Sequence, residues 1–336
     1  MLKNQIEKLI QGQDLSLKET EAAINIILEN KANVPQIAAF LTLLHSKKET
    51  VDEMLGIISA ARKNMLPVNV PGDLLDIVGT GGDKANTVNI STAAAIVIAS
   101  CDVKVAKHGN RAVSSQCGSA DVLQKLGVKI DLTPEQVAHS INTVGIGFCF
   151  SPNFHPTMQQ LRVVRKELNI PTSFNLLGPL LNPARTQYNL IGVYSKKLLE
   201  LMAELFFQLG VEHTLIVNGN GLDELSCLGP VDAIAVTRSG KTPMVIDPQK
   251  LGLRSCTLSE LQGGDADKNA RLLIDALSGK QDNALTQTIL LNAAVGLWLY
   301  GKFTSIELAL TAAHKKLTEG AAAHLLEQWI ECTNKP

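Results

Sequence analysis

The chain has 336 residues, room for one large and one small domain, and its 45% hydrophobic and 19% charged residues are the ordinary balance of a globular protein with a sizeable core. A formal net charge of −1 leaves no global field for nucleic acid or an anionic membrane, and aromatics at 4% are too few to read single strands by stacking. Six scattered cysteines form no C-x-x-C pair and the amphipathic start MLKNQIEKLIQGQ has no secretory pattern, so the expectation is a cytoplasmic enzyme with reduced thiols, no membrane span and no nucleic-acid partner.

Residues 1–65 read as four short helices. Ser16 with Glu19 and Thr50 with Glu53 are capping boxes, and Pro35 suits the first turn of a helix running through Ile37, Phe40, Leu41 and Leu44. A helical subdomain is expected over 1–70, joined by part of 165–185 and carrying a homodimer contact. The proline-punctuated stretch MLPVNVPG then changes the rhythm. Strands are expected at 74–78, 103–106, 146–150, 189–194, 213–218, 232–237 and 242–246. Helices are expected at 91–100, 118–126, 134–144 behind Thr133-Pro134, 157–168 and 196–209, with more helix beyond 258. The fold class is therefore α/β: a small all-helical N-terminal subdomain, then a large domain over 71–336 with a mainly parallel central sheet flanked by helices. Segments 65–75 and 170–186, the latter containing IPTSFNLLGPLLNPA, are expected to act as hinges.

In such sheets ligands bind beyond the carboxyl ends of the strands. The loop after the first strand, Gly79-Thr80-Gly81-Gly82-Asp83, fits neither the dinucleotide fingerprint, which Lys84 breaks, nor the P-loop. With Thr87, Asn89, Ser91 and Thr92 it reads as a phosphate loop opening a helix, or as a tight turn capped by Asn89 or Ser91. After the second strand, Lys107 to Ser115 offer lysine, arginine and two serines to a second phosphate, or form a solvated basic turn. After 213–218, two glycines precede Asp223-Glu224, a pair suited to Mg²⁺ shared with substrate phosphates. Arg162, Arg165 and Lys166 on the helix 157–168 are a solvated face unless one turns inward to a substrate carboxylate, and periodicity leaves open which. No serine-histidine-acid arrangement supports hydrolysis.

GTGGD at 79–83, NIST at 89–92, KHGNRAVSS at 107–115, GSAD at 118–121, FHP at 154–156, VRKEL at 164–168, FNLLGPLLNP at 174–183 and Asp223-Glu224 together resemble the anthranilate phosphoribosyltransferase family, in the family's order and over nearly the whole chain. The resemblance implies Mg²⁺-dependent transfer of a phosphoribosyl group from 5-phosphoribosyl 1-pyrophosphate to anthranilate. It implies donor binding by Gly79, Gly82, Asp83, Thr87, Asn89, Ile90, Ser91 and Thr92. It implies the same for Lys107, His108, Gly109, Asn110, Arg111, Ala112, Val113, Ser114, Ser115 and Ser119. Magnesium falls to Ser91, Asp223 and Glu224, and anthranilate to Gly79, Asn110 and Arg165. No general acid or base is implied: an aromatic amine is already a nucleophile at pH 7, and the hard event is departure of pyrophosphate.

The chain departs from the family pattern at Lys84, where a small residue is usual, at Cys101-Asp102, where a small residue and glycine are usual, and at Gln116-Cys117 and Ser151-x-Asn153. A pyrimidine nucleoside phosphorylase would share the glycine loop but lack the acceptor-side motifs. A non-catalytic nucleic-acid-binding relative should be basic and should have lost the acidic pair.

Overall fold

The computed structural model describes residues 2–112 and 116–335. In chain order come α1 (Lys3–Ile10), α2 (Leu17–Leu28), α3 (Val34–Lys47), α4 (Val51–Lys63), β1 (Leu75–Gly79), α5 (Ile90–Ser100), β2 (Val105–Gly109), α6 (Ser119–Lys125), α7 (Pro134–Val144) and β3 (Ile146–Phe150). There follow α8 (Ser151–Phe154), α9 (Gln159–Leu168), β4 (Tyr188–Gly192), α10 (Leu199–Gln208), β5 (His213–Asn218), β6 (Val231–Thr237) and β7 (Gly240–Ile246). Four helices close the chain: α11 (Ala266–Leu277), α12 (Ala284–Leu299), α13 (Ile306–Thr318) and α14 (Ala321–Asn334). Two compact units result, Met1–Pro67 with Ser151–Pro183, and Val68–Phe150 with Ala184–Pro336.

In the first unit, which is all helical, the starts of α2, α3 and α4 are written into local chemistry. Ser16 caps α2 and Thr50 caps α4, each with a glutamate three residues on that reaches back to the cap amide. Asn33 with Gln36 does the same for α3, which also has Pro35 in its first turn. Glu53 serves twice: fully buried, it accepts from the amides of Leu15 (2.9 Å) and Thr50 (2.8 Å) and pairs with Lys47 (3.0 Å), tying α4 to the turn before α2.

This unit takes in all of 151–183, a longer return than the part of 165–185 expected from sequence. The reason is in the contacts. Phe154 is buried and its carbonyl accepts from Leu66 (2.9 Å), Arg62 donates to the Leu180 carbonyl (3.1 Å), and Ser173 donates to Glu49 (2.6 Å). Leu161 and Val164 of α9 are also buried, so Arg165 belongs with the helices.

The second unit holds a seven-stranded sheet in the order β3-β2-β1-β4-β5-β6-β7. The first five strands in that order run parallel, and β6 and β7 are antiparallel additions. Its core helices are apolar on every side: in α5 all residues but Ser91 are buried, and α12 is buried almost throughout. Helices of that kind belong inside, and α5 packs against α12. The register pairs Gly79 with Gly192 and Gly192 with Val217, so β1, β4 and β5 end level and their loops open on one edge. Among the described residues no helix is long and apolar enough to cross a membrane.

Candidate active site

The acidic loop after β5 is folded by its own polar residues. Asn218 donates to the Val193 carbonyl (2.7 Å) and accepts from the Gly221 amide (3.2 Å), while the Gly219 amide donates to Leu222 (3.0 Å). Asp223 is thereby brought against the ends of β1 and β4 so closely that a Cβ on Gly79 would overlap its carboxylate, and one on Gly192 its carbonyl. Glycine is needed at both positions to admit that backbone. The Gly81 amide donates to Asp223 Oδ2 (2.6 Å), and the Ser91 amide, in the first turn of α5, donates to Glu224 Oε1 (2.8 Å). The glycine loop, the start of α5 and the acidic pair are thus one assembly.

Both carboxylates resist ionisation. Burial pushes the Asp223 carboxyl up, helped by the nearby charge of Asp83, and burial pushes Glu224 up, helped by Asp223. The nearest buried cation is Lys107. The sequence placed it in a loop, but it lies in β2, 1% exposed, donating to the Ile77 carbonyl (2.7 Å) and to Ser91 Oγ (3.3 Å). Burial pulls its ammonium down, against the opposing charges of Asp76, Glu224 and Asp223. It feels the pair without bonding either member.

Asp76 went unnoticed in the sequence, although an aspartate inside the apolar run LLDIV was a signal. It is fully buried and accepts from the His108 amide (3.2 Å), which registers β2 against β1.

The rest of the basic stretch folds onto α6. The Asn110 carbonyl accepts from Ala120 (3.2 Å) and Ser119 Oγ (3.3 Å), and its side chain accepts from the Arg111 amide (2.8 Å). Arg111 bonds Asp121 (2.9 Å) and Gln124 (3.0 Å) and lies over the Phe150 ring. Asp121, a residue given no role by sequence, also accepts from the amides of Ala112 (3.0 Å) and Gly118 (2.9 Å). Burial opposes its ionisation, but those two amides and Arg111 outweigh burial and hold its pKa down. Arg111 therefore secures its own loop. Val113, Ser114 and Ser115 lie outside the described residues.

The glycine-loop sequel is fastened from afar. Thr87 bridges to Gln262, Gly263 donates to the Asn86 carbonyl (2.9 Å), and Val88 donates to Leu261 (3.0 Å). Asn89, one of the two caps that the plain-turn alternative offered, occupies the N-cap position of α5 without a side-chain cap bond. It donates to the Cys117 carbonyl (3.1 Å) and accepts from Asn269 of α11 (3.0 Å), joining three segments. Ile90 and Thr92 are buried in α5. Asp83 caps a local turn by accepting from Ala85 (3.1 Å), and Gly82 lies beside the Tyr194 ring. Lys84 sits at φ 59°, in the left-handed region, and Asp102 at φ 61°.

In the helical unit, Arg165 is half-buried over the Phe174 ring and donates to Asn175 Oδ1 (3.2 Å). Burial pulls its pKa down, and no carboxylate of the described residues pairs with it. Of the three cations on α9, Lys166 is exposed, and Arg162 acts on His155 by charge.

Among the described residues no three His, Cys, Asp or Glu side chains converge as a self-sufficient metal site. Two partly buried carboxylates with raised pKa are instead what Mg²⁺ uses when substrate oxygens and water complete its shell, so the donor set fits that ion.

Residues 71–323 match the family described as "Glycosyl transferase family, a/b domain", and residues 3–65 match its helical bundle domain. An anthranilate phosphoribosyltransferase of Chlamydia felis is 45% identical over 331 residues, 98% of this chain and 96% of that protein. The crystal structure of the Thermus thermophilus anthranilate phosphoribosyltransferase superposes with a TM-score of 0.92 at 37% identity, covering 98% of this chain and 99% of that one. The Saccharomyces cerevisiae enzyme in complex with PRPP and Mg does so with a TM-score of 0.92 at 30% identity, covering 99% and 97%. With likeness of this extent in both units, and with the acidic pair lodged at the glycine loop, the chain belongs to the anthranilate phosphoribosyltransferase family.

Proposed function

We infer that the chain transfers the 5-phosphoribosyl group of 5-phosphoribosyl 1-pyrophosphate to the amine of anthranilate with Mg²⁺, releasing pyrophosphate and forming N-(5-phosphoribosyl)anthranilate, a step of L-tryptophan biosynthesis. The observation that carries the reading is the fastening of Asp223 to the Gly81 amide and of Glu224 to the Ser91 amide. Those bonds hold two carboxylates at the carboxyl edge of a parallel sheet, where α/β folds bind ligands. The yeast relative solved with PRPP and Mg supports the same substrate and metal.

Asp223, Glu224 and the Ser91 hydroxyl are assigned to Mg²⁺, which when bound would neutralise charge on the departing pyrophosphate. The donor is assigned to the glycine loop with Gly79, Gly82 and Asp83, to Thr87 and Asn89–Thr92, and to Lys107–Ser115 with Ser119. Lys107 lies behind Ser91, donating to its Oγ, and the charges of Glu224 and Asp223 favour its ammonium form against the burial that pulls its pKa down. Asp121 acts by holding its loop, and the side-chain bonds of Asn89 to Cys117 and Asn269 fix the place from which that residue meets the donor. Gly79 and Asn110 are assigned to anthranilate, and Arg165 to its carboxylate, for which a guanidinium free of acidic partners and stacked on Phe174 is suited.

No base is required of the protein, because the neutral aromatic amine attacks as it stands. Residues that orient it and exclude water then set the rate. The reading includes a cytoplasmic homodimer joined through the helical unit, supported by exposed Ile10 and Val34 on the mutually packed α1 and α3.

The test is to follow anthranilate fluorescence in the presence of phosphoribosyl pyrophosphate and Mg²⁺. Signal loss that needs both additions is expected. An unchanged signal, where a known transferase works, overturns the assignment.

A further inference from the structure

At the opposite end of the sheet from the catalytic loops lies a cleft of about 510 Å³. It is lined by Tyr188 at the start of β4, His213 at the start of β5, and Trp298 and Tyr300 at the end of α12, with Glu212 and Arg238 at its mouth. The volume is in the range of small-molecule sites. The chain has only two tryptophans and three tyrosines, and this cleft takes one of the first and two of the second, their inner sides packed against the hydrophobic core. All three of these rings are only partly buried. The Tyr188 and Tyr300 rings lie 4.9 Å apart at 49°, and Trp298 meets His213 edge-on at 6.2 Å.

One carboxylate beside these rings, that of Asp73, is not balanced by a cation of the cleft lining. Asp73 adjoins the cleft, its backbone carbonyl accepting from the Tyr300 hydroxyl (3.4 Å), and its carboxylate makes no ion pair among the described residues. Burial first, then the Asp73 charge, pushes both tyrosine phenols up, and Glu212 adds to the effect on Tyr188. The lining's own cation, Arg238, is held by Glu212 at 2.7 Å. His213 brings no competing charge: burial pulls its pKa down, and Nδ1 donates to the Leu299 carbonyl (3.1 Å). Aromatic faces backed by carboxylate form the environment that attracts organic cations.

We propose that the cleft of Tyr188, His213, Trp298 and Tyr300, with Asp73 and Glu212 beside it, binds a small organic cation of the alkylguanidinium or alkylammonium class. The bound head lies against the rings and its positive charge faces Asp73. The site is separate from the donor loops, since Tyr188 and Gly192 are the two ends of β4, ~13 Å apart at about 3.3 Å per residue.

The full chain is titrated with agmatine, tetramethylammonium and benzoate by calorimetry and by tryptophan emission. Trp329 is fully buried, so a ligand-dependent change reports on Trp298. Saturable binding of either cation is expected, weakened about fivefold or more in Asp73→Asn, with the emission change lost in Trp298→Phe. Circular dichroism checks that each variant is folded, and Glu212→Gln serves as a second charge variant should Asp73→Asn fail to fold. Absence of saturable cation binding, equal binding of benzoate, or full affinity in a folded charge variant overturns the proposal.

Discussion

The Ser91 amide donates to Glu224 Oε1 across 133 positions of sequence, and this single bond changes what the start of α5 is for. A helix N-terminus is a ready anion site. Here part of that capacity is taken by a protein carboxylate, so the terminus positions a metal-binding acid and is not left wholly to a phosphate.

That arrangement separates the charge of Glu224 from its shape. In Glu224→Gln the amide oxygen can still accept from Ser91, so the thermal midpoint should change little while turnover falls by about 100-fold or more with the lost metal charge. Asp223→Asn should behave alike, because its remaining oxygen can accept from Gly81. Turnover measured against Mg²⁺ concentration, beside a melting curve, decides the matter: an unaltered magnesium dependence removes these residues from the metal.

Arg165→Ala should raise the KM for anthranilate about 10- to 100-fold, the worth of a charge-assisted hydrogen bond, with a much smaller effect on the donor. Arg165→Lys should rescue only partly, since an ammonium lacks the planar fork and stacks less well on Phe174. Initial rates with each substrate varied in turn supply the comparison. A larger rise in the donor KM would place this arginine on the other substrate.

All seven strands and the starts of α2 and α4 were legible because their signals are local: alternation of apolar runs with helical periodicity, Ser16 with Glu19, Thr50 with Glu53. The glycine loop and the acidic pair were legible as residue types. Their fastening was not. Asn89 meets Asn269 across 180 positions and Thr87 pairs with Gln262, and neither glutamine nor asparagine advertises a distant partner. Arg111 shows the same limit, for its partner Asp121 on α6 is supplied only by the fold. Lys107 shows it again, buried in β2 where the sequence reading began a loop.

Lys84 carries a conformational cost. At φ 59° a lysine pays for its Cβ, roughly 1–2 kcal/mol, while glycine's extra freedom in the unfolded chain returns part of any relief. Lys84→Gly should therefore stabilise the protein by about 0.5–1 kcal/mol, read as a shift of the urea midpoint with an unchanged slope. Destabilisation would mean that the exposed side chain makes a favourable contact outweighing its backbone. Because the residue borders GTGGD, the donor KM measured in the same variant also shows whether its charge assists binding.

His155 gives the stability a pH dependence of known sign. It is buried in the helical unit with Nε2 donating to the Leu181 carbonyl (3.0 Å). Burial pulls its pKa from 6.5 down to about 4, Arg162 adds to the fall, and the Leu181 bond opposes it. Between those values the unfolded chain holds a proton that the folded chain does not, so stability rises with pH in this window. The contribution is complete above about pH 6.5, on the order of 3 kcal/mol, and is lost as pH falls toward 4. In His155→Gln the amide nitrogen can donate to Leu181 without titrating. Urea unfolding of both proteins at pH 7.5 and pH 5 should show the variant losing less stability on acidification. Equal losses would mean that His155 takes up its proton in the folded state as readily as in the unfolded one.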